Sequence, residues 1–156
     1  MKTNLILVGK TASKHFQAGI SDYAERISHY MPFDIVTIPE LKNTKNLSEE
    51  QQKQAEGELI LKQILPSDTV VLLDEHGKEL RSVEYAQWLS QKQQTARRLI
   101  FVIGGPYGFS PDVYARANEK ISLSKMTFSH QMVRLIFTEQ LYRACTIIKG
   151  EPYHHE

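Results

Sequence analysis

Runs of apolar residues recur along the chain and are separated by segments with helical spacing. Leu5 to Val8, Thr69 to Leu73 and Leu99 to Ile103 form nearly continuous apolar runs, which are typical of parallel strands covered on both faces. Phe33 to Ile38 and Ile121 to Leu123 predict two further strands. Because strands and helices alternate, we predict an α/β fold, in which a parallel sheet carries helices on both faces.

The segments between the strands predict helices with recognisable starts and ends. One helix ends before Pro32 and a second before Pro66, because the residue before proline disfavours helical geometry. Ser82 is expected to cap a third helix, and Ser110 followed by Pro111 is typical of the start of a fourth. The polar segment 42–50 is expected to be a loop that leads into a capped helix. The predicted apolar faces consist of Phe16, Ile20, Tyr23, Ala24 and Ile27, then Ala55, Leu59, Ile60 and Ile64, and then Tyr85, Ala86 and Leu89.

The last predicted helix, from about His130 to Ile148, carries more apolar residues than one core face needs. Leu135 and Tyr142 project from the other side, where the helix of a monomer is normally polar. We expect a homodimer in which one of them contacts the partner, and the alternative is cover by the chain's own C-terminal tail. The predicted core face consists of Val133, Ile136, Phe137, Leu141, Ala144 and Ile148.

Composition narrows the class of protein. A chain of 156 residues without repeats or linkers predicts a single domain, 1–156. No apolar run could span a bilayer, and the N-terminus lacks the pattern of a secretory signal. Cys145 is the only cysteine, which indicates a reducing cytoplasm and a packing role for its thiol. The net charge of +1 excludes binding of nucleic acid by bulk charge, so an RNA partner would have to be recognised through shape or with the help of protein.

Three segments follow predicted strands at the edge where parallel sheets bind ligands. They are the polar turn Asp74 to Gly77, the glycine loop Gly104 to Gly108, and the segment Ser124 to His130. The glycine loop matches neither of the common phosphate-binding patterns and lies after the fourth strand. It is therefore expected to form the rim of a site for a flat ligand rather than for a phosphate.

Titratable residues near the C-terminus are further candidates. Glu139 and Arg143 are four residues apart on the last helix, a spacing that alone predicts only a surface ion pair. The tail Gly150 to Glu156 places tyrosine, histidine and glutamate close together, and whether this is functional stays open at this point. The six histidines show no spacing typical of metal ligands, so no metal is expected.

Taken together, these segments resemble one known family. The chain resembles the ribosomal RNA large subunit methyltransferase H family, which are pseudouridine N3-methyltransferases of the knotted SPOUT class, over essentially its whole length. The motifs that carry the resemblance are Ile103 to Gly108, Leu123 to His130, Val133-Arg134, Glu139 to Ala144 and Pro152 to His154. One position departs from the family pattern, because His155 stands where the family usually has arginine or lysine.

The resemblance implies a fold, a cofactor and partners. It implies a SPOUT fold whose C-terminal segment forms a trefoil knot, an exception to the usual rules of chain connection. It further implies a homodimer that uses S-adenosylmethionine, without a metal, to methylate N3 of a pseudouridine in helix 69 of 23S rRNA in the assembled 70S ribosome. By matching motif positions, the cofactor-binding residues would be Leu73, Gly104, Leu123, Ser124, Lys125, Met126, Thr127 and Phe128.

The implied chemistry also names candidate catalytic residues. N3 of the base carries a proton that some group must accept, and the negative charge that develops needs a donor or a cation nearby. His130, Glu139 and His154 are candidate acceptors, and the choice among them stays open. Arg143 and Tyr153 are the candidate stabilisers.

A few separated cations are expected to take the place of a basic patch in contacts with RNA. We expect Arg134, Arg143 and Lys149 each to meet one phosphate of a shaped RNA surface.

Two other classes of protein fit parts of the pattern. A flavodoxin-like or dinucleotide-binding domain would also alternate strands and helices, but it requires a glycine loop after the first strand. The segment Gly9 to Ser13 matches that requirement poorly. A non-catalytic ribosome-binding factor would bind ribosomes without turnover of S-adenosylmethionine.

Overall fold

The computed structural model describes residues 1–155, which form a five-stranded parallel sheet with helices on both faces. The order of the strands across the sheet is β2-β1-β4-β3-β5. In the described residues no helix is long and apolar enough to cross a membrane. The strands are β1 Lys2–Val8, β2 Phe33–Ile38, β3 Thr69–Glu79, β4 Arg98–Ile103 and β5 Glu119–Ser122. The helices are α1 Lys14–Ser28, α2 Glu49–Leu61, α3 Ser82–Thr95, α4 Pro111–Arg116 and α5 Met132–Lys149, with a short 3-10 helix at Thr44–Asn46.

The central strands are covered on both faces because successive side chains point to opposite sides of a sheet. Leu5 and Leu7 of β1 join a core cluster with residues of α1, α3 and α5. Ile6 and Val8 of the same strand join a second cluster with residues of α2 and α4. This arrangement confirms the predicted α/β fold, and it explains why the inner strands are continuously apolar.

The third strand is longer than predicted, and the strand end expected at Leu73 is wrong. Leu73 and Lys78 both pair with Ile121 of β5, so residues 74–77 form an irregularity within the strand. Gly77 is required there, because a Cβ atom would lie 2.6 Å from the backbone nitrogen of Ile121. The polar turn is thus a bulge, after which the strand resumes its pairing with β5.

The helix starts follow the predicted caps with one exception. Ser48 caps α2 through a capping box with Gln51, as expected for the end of the polar segment. Ser110 caps α4, where its Oγ accepts from the backbone N–H of Val113. Ser82 is not the cap of α3, because Arg81 is in the capping position and its N–H donates to Glu84 Oε1 at 2.8 Å.

The two side chains that suggested a partner on α5 are partly covered by the same chain. Leu135 packs against α1 at Gly19, where a Cβ atom would lie 2.7 Å from Leu135 Cδ1. The Tyr142 ring contacts Tyr153 of the tail at 4.7 Å between centroids, and Tyr23 of α1 at 5.8 Å. Both side chains are half-buried, and their role as dimer contacts stays a prediction. The homodimer itself stays a prediction.

Cys145 lies in the core between α5 and the sheet and is 2 % exposed. Burial raises the pKa of its thiol to about 12, which keeps the nucleophilic thiolate form scarce at neutral pH. These observations support the packing role predicted for this residue.

Candidate functional site

A cleft of about 620 Å³ opens at the irregular segment of β3 and the C-terminal ends of β4 and β5. We call it the strand-end cleft. Its walls come from all three segments that the sequence pattern singled out, which meet because parallel strands end at one edge of the sheet. The lining residues are 73–76 of β3, 103–109 from the last residue of β4 onward, Tyr114 of α4, 122–124 and 126–130 from the last residue of β5 onward, and Val133 of α5.

The glycine loop contributes three glycines to the lining of the cleft, together with Pro106, Tyr107 and Phe109. Gly104 leaves its backbone open to a ligand, and a Cβ atom there would lie 3.0 Å from the Phe109 ring. At Gly105, a Cβ atom would lie 2.7 Å from the carboxylate of the buried Glu56. Burial raises the pKa of Glu56. Gly108 has a φ of +83°, which closes the loop ahead of α4.

The segment after β5 wraps the other side of the cleft in a tight turn. Ser122 Oγ donates to the Ser124 carbonyl at 2.9 Å, and the Met126 N–H donates to Ser124 Oγ at 2.9 Å. This turn directs Lys125 away from the cleft, and its Nζ lies 4.0 Å from Glu79 Oε1 with the side chain 87 % exposed. Lys125 is thus absent from the described lining, whereas the other predicted cofactor-binding residues, Leu73, Gly104, Leu123, Ser124, Met126, Thr127 and Phe128, are part of it.

Asp74, Glu75 and Tyr114 also line the cleft, and none of them was predicted as a site residue. Asp74 accepts a hydrogen bond from the Tyr114 hydroxyl and another from the His76 N–H at 2.8 Å. Burial raises the pKa of Tyr114, and its bond to Asp74 raises it further. Glu75 lies beside them, with its carboxylate 3.6 Å from His76 Nε2 and 70 % exposed. Asp74 and Glu75 follow an apolar run, and this position could have predicted them as site residues. Nothing in the sequence indicates that Tyr114 contacts Asp74.

Four of the five candidate catalytic residues form a cluster away from the cleft, which we call the tail cluster. It consists of Glu139, Arg143, Tyr153 and His154. Arg143 donates to both carboxylate oxygens of Glu139, at 3.1 and 3.0 Å, and its guanidinium lies 4.9 Å from the centre of the Tyr153 ring. The Tyr153 hydroxyl donates to Glu139 Oε2 at 3.2 Å. Glu156, the last residue of the predicted functional tail, lies outside the described residues.

Hydrogen bonding limits the protonation states in the tail cluster. Arg143 Nη1 lies 3.0 Å from His154 Nδ1, and a guanidinium only donates. Nδ1 therefore accepts in this contact, which leaves Nε2 as the ring nitrogen that can donate. The pKa of Tyr153 is raised by burial, by its bond to Tyr23 and by the charge of Glu139, so the phenol stays protonated. The pKa of Arg143 is raised by its bond to Glu139.

The remaining candidate, His130, lies at the cleft. It is exposed, and it lines the cleft together with Val133 of the first turn of α5. Glu139 and Arg143 lie six and ten residues beyond Val133, which is about 9 and 15 Å along a helix at 1.5 Å per residue. Within one chain, the tail cluster and the cleft are thus separate.

Arg134 does not serve the role expected from sequence. It is 0 % exposed and donates to the carbonyl oxygens of Val8 at 2.7 Å and Gly9 at 2.9 Å, as well as to Thr11. The expectation that it meets an RNA phosphate is wrong, because its guanidinium holds the end of β1 against α5. Lys149 is exposed at the end of α5. Among residues 1–155 no group of three or more His, Cys, Asp or Glu side chains could hold a metal ion.

A family model and a solved structure are similar to this chain, and both are consistent with the observed fold. The model described as predicted SPOUT methyltransferase matches residues 1–154. A structure of a probable methylase family protein from Haemophilus influenzae superposes with a TM-score of 0.54 at 12 % sequence identity, covering 99 % of this chain and 70 % of that one. At that identity the likeness concerns the fold alone.

Curated relatives show to which family of SPOUT methyltransferases the chain belongs. A protein of Phocaeicola vulgatus is 66 % identical, one of Bacteroides fragilis 63 % and one of Flavobacterium psychrophilum 57 %, each over the full length of both chains. All three are named ribosomal RNA large subunit methyltransferase H. The chain therefore belongs to the SPOUT methyltransferases and, among them, to the ribosomal RNA large subunit methyltransferase H family. The resemblance is confirmed, and the flavodoxin-like and dinucleotide-binding alternative is wrong.

Proposed function

We propose that this protein transfers a methyl group from S-adenosylmethionine to N3 of a pseudouridine in helix 69 of 23S rRNA, in the assembled ribosome of the cytoplasm. One observation carries the proposal. Seven of the eight positions that match the family's cofactor motif line a single cleft at the strand ends. The names of the relatives, which are ribosomal RNA methyltransferases, support RNA of the large subunit as the substrate.

The cleft has the size and chemistry for this cofactor. Its volume of about 620 Å³ falls within the range of small-ligand sites, and Leu73, Leu123 and Phe128 provide apolar surface for a flat ring. The open backbone at Gly104 allows close approach to a ligand. The cofactor supplies a methyl group on a positively charged sulfur, an electrophile that is already activated.

We propose that His130 accepts the proton that leaves N3. It lines the cleft, whereas the other two acceptors belong to the tail cluster. His154 uses Nδ1 to accept from Arg143, which leaves Nε2 as the ring nitrogen that can donate. Both oxygens of Glu139 are engaged by Arg143. The tail cluster is thus suited to donate hydrogen bonds to the negative charge that develops on the base.

The separation of the two groups of residues supports a homodimer with a shared site. Glu139 and Arg143 lie about 9 and 15 Å along α5 from Val133 at the cleft, so the tail residues bonded to them cannot reach a base held there without leaving their observed contacts. Those contacts are extensive, since the Tyr30 hydroxyl also donates to Glu151 of the tail at 2.6 Å. In our proposal the tail cluster of one copy faces the strand-end cleft of the other.

We also propose the C-terminal trefoil knot implied by the family. The match of residues 1–154 to the SPOUT methyltransferase family model supports it. Refolding from denaturant should show a slow phase that prolyl isomerase does not accelerate. Refolding in a single fast phase would contradict the knot.

A methyl-transfer assay tests the function directly. Ribosomes from cells that lack this enzyme are incubated with the protein and S-adenosylmethionine, and the product is mapped by mass spectrometry of RNA fragments. We expect one added methyl group on a pseudouridine of helix 69. Because the net charge is only +1, the naked stem-loop should be a poor substrate. Absence of transfer, transfer to another nucleotide, or efficient methylation of the protein-free stem-loop would contradict the proposal.

A further inference from the structure

The strand-end cleft has an unbalanced charge. Its lining contains two carboxylates, Asp74 and Glu75, which we call the acidic wall. Within residues 1–155, no lysine or arginine is among the lining residues, and the basic side chains that line the cleft are His76 and His130. At a pH where histidine is neutral, the cleft therefore carries a formal charge of −2.

The charge of Asp74 is fixed in place by the protein. Its two carboxylate oxygens accept from the Tyr114 hydroxyl and the His76 N–H. Tyr114 is itself held edge-to-face against Phe109 of the glycine loop, with 5.7 Å between ring centroids. Asp74 thus joins the β3 bulge to α4 across the cleft. Because it is half-buried, its field is screened less than that of the exposed Glu75.

The methyl-transfer reaction changes the charge of whatever occupies this cleft. S-Adenosylmethionine carries a sulfonium, an ammonium and a carboxylate, which sum to a charge of +1. When the sulfur–methyl bond breaks, its electron pair stays on sulfur, the methyl forms a bond to N3, and the N3 proton passes to His130. The remaining thioether product is neutral overall, so a negative wall attracts the cofactor more than the product.

We propose that the acidic wall of Asp74 and Glu75 makes the cleft select the sulfonium cofactor over its thioether product. This inference rests on the proposed function and concerns the specificity of the same site. Weaker binding of the product then favours its exchange for fresh cofactor. The inference requires Asp74 to act through its charge and not through its hydrogen bond from Tyr114.

Calorimetry on the wild-type protein and four variants tests the charge effect. The dissociation constants of S-adenosylmethionine and S-adenosylhomocysteine are measured separately at pH 8, and their ratio is the readout. Asp74→Asn should lower the preference for the cofactor about 3- to 10-fold, the size of effect expected for the loss of one unit charge from the lining at intermediate dielectric. Glu75→Gln should lower it less, because this carboxylate is 70 % exposed.

Two matched controls separate charge from geometry. Tyr114→Phe removes the hydrogen bond that the Tyr114 hydroxyl donates to Asp74 but keeps the negative charge of Asp74. This variant should therefore leave the preference for the cofactor nearly unchanged. Glu58→Gln removes an exposed carboxylate of α2 outside the cleft lining and should have no effect. The preference of the wild-type protein should also decrease as the salt concentration rises.

The possible results are distinguishable. An unchanged preference in both Asp74→Asn and Glu75→Gln would overturn the inference, as would a loss in Tyr114→Phe equal to that in Asp74→Asn. If Asp74→Asn does not fold, Glu75→Gln and the salt dependence of the wild-type protein decide. Failure of the wild-type protein to bind either ligand would instead overturn the proposed function.

Discussion

Arg143 holds both carboxylate oxygens of Glu139, at 3.1 and 3.0 Å, from one turn further along α5. With a third nitrogen it donates to His154 at 3.0 Å, so one guanidinium joins the last helix to the tail. A lysine ammonium lacks the planar fork that these contacts use. Arg143 thus forms an i,i+4 ion pair with Glu139 and also holds the other residues of the tail cluster together.

Arg143→Lys should therefore reduce methylation by about 100-fold while leaving affinity for S-adenosylmethionine within about twofold of wild type. The reason is that the lysine keeps the charge but cannot bond Glu139 and His154 together. Single-turnover methylation of ribosomes and calorimetry are the two measurements. Lys149→Arg, at an exposed position of the same helix, serves as the control. Equal losses of cofactor affinity and activity in Arg143→Lys would argue against the separation of the tail cluster from the cleft.

Gly104→Val should abolish binding of S-adenosylmethionine. Even a Cβ atom at this position would lie 3.0 Å from the Phe109 ring, and the branched side chain would fill the backbone approach to the ligand. Ala115→Val, on the exposed side of α4, is the matched control and should bind normally. Calorimetry that shows unchanged affinity in Gly104→Val would remove the glycine loop from the site.

Deletion of residues 152–156 should remove methylation and leave cofactor binding and dimerisation nearly intact. The deletion takes away Tyr153 and His154, whereas the residues that line the cleft all precede it. It also removes the tyrosine that contacts Tyr142 at 4.7 Å, so circular dichroism is needed to check the fold. Full activity of the shortened protein on ribosomes would exclude a role for the tail.

A homodimer with a shared site predicts complementation between two inactive variants. Light scattering should give about twice the chain mass of 17.9 kDa. When Gly104→Val and Arg143→Ala chains are mixed and allowed to exchange, half of the dimers are mixed, and one of the two sites in each has an intact cleft and an intact tail. Activity should then recover to about a quarter of wild type. No recovery, despite demonstrated exchange, would place cleft and tail cluster in the same chain.

Asp68 should make the stability of the fold depend on acid pH. Burial opposes its ionisation, but hydrogen bonds from Arg98 and the Leu65 N–H, with the charges of Arg98 and Arg116, together lower the pKa of Asp68. A pKa lower in the folded than in the unfolded chain contributes stability that is present above about pH 4 and is lost as pH falls through the folded value.

Asp68→Asn should accordingly lower the free energy of unfolding at pH 7 by about 3 kcal/mol, because the mostly buried Arg98 loses its charged partner. The free energy of unfolding of this variant should also decrease less than that of wild type as the pH falls from 5 to 3. Urea unfolding of both proteins across this range is the measurement. Asp34→Asn, whose carboxylate is 64 % exposed beside Lys2, is the control and should change little. An identical acid dependence in Asp68→Asn and wild type would contradict the pKa shift.

Sequence alone determined the features that depend on local chemistry. Leu5 to Val8 and Leu99 to Ile103 are apolar on every residue, so they had to be inner strands of a sheet covered on both faces. Ser110 with Pro111 determined the start of α4 in the same way, because a cap acts through backbone groups of the next turn. The three segments of the cleft were predicted because parallel strands end at one edge.

Only the tertiary structure decided which residues from distant segments meet. β3 continues past Leu73 because it resumes pairing with β5, and Tyr114 joins Asp74 across 40 residues of sequence. Arg134 had the appearance of a surface cation, but the carbonyl groups of Val8 and Gly9 allow it to be buried. The tail cluster and the cleft share helix α5 and yet lie apart, because the distance between them follows from the rise of the helix and the path of the tail. Such relationships arise from packing between segments, and local patterns along the chain carry no information about them.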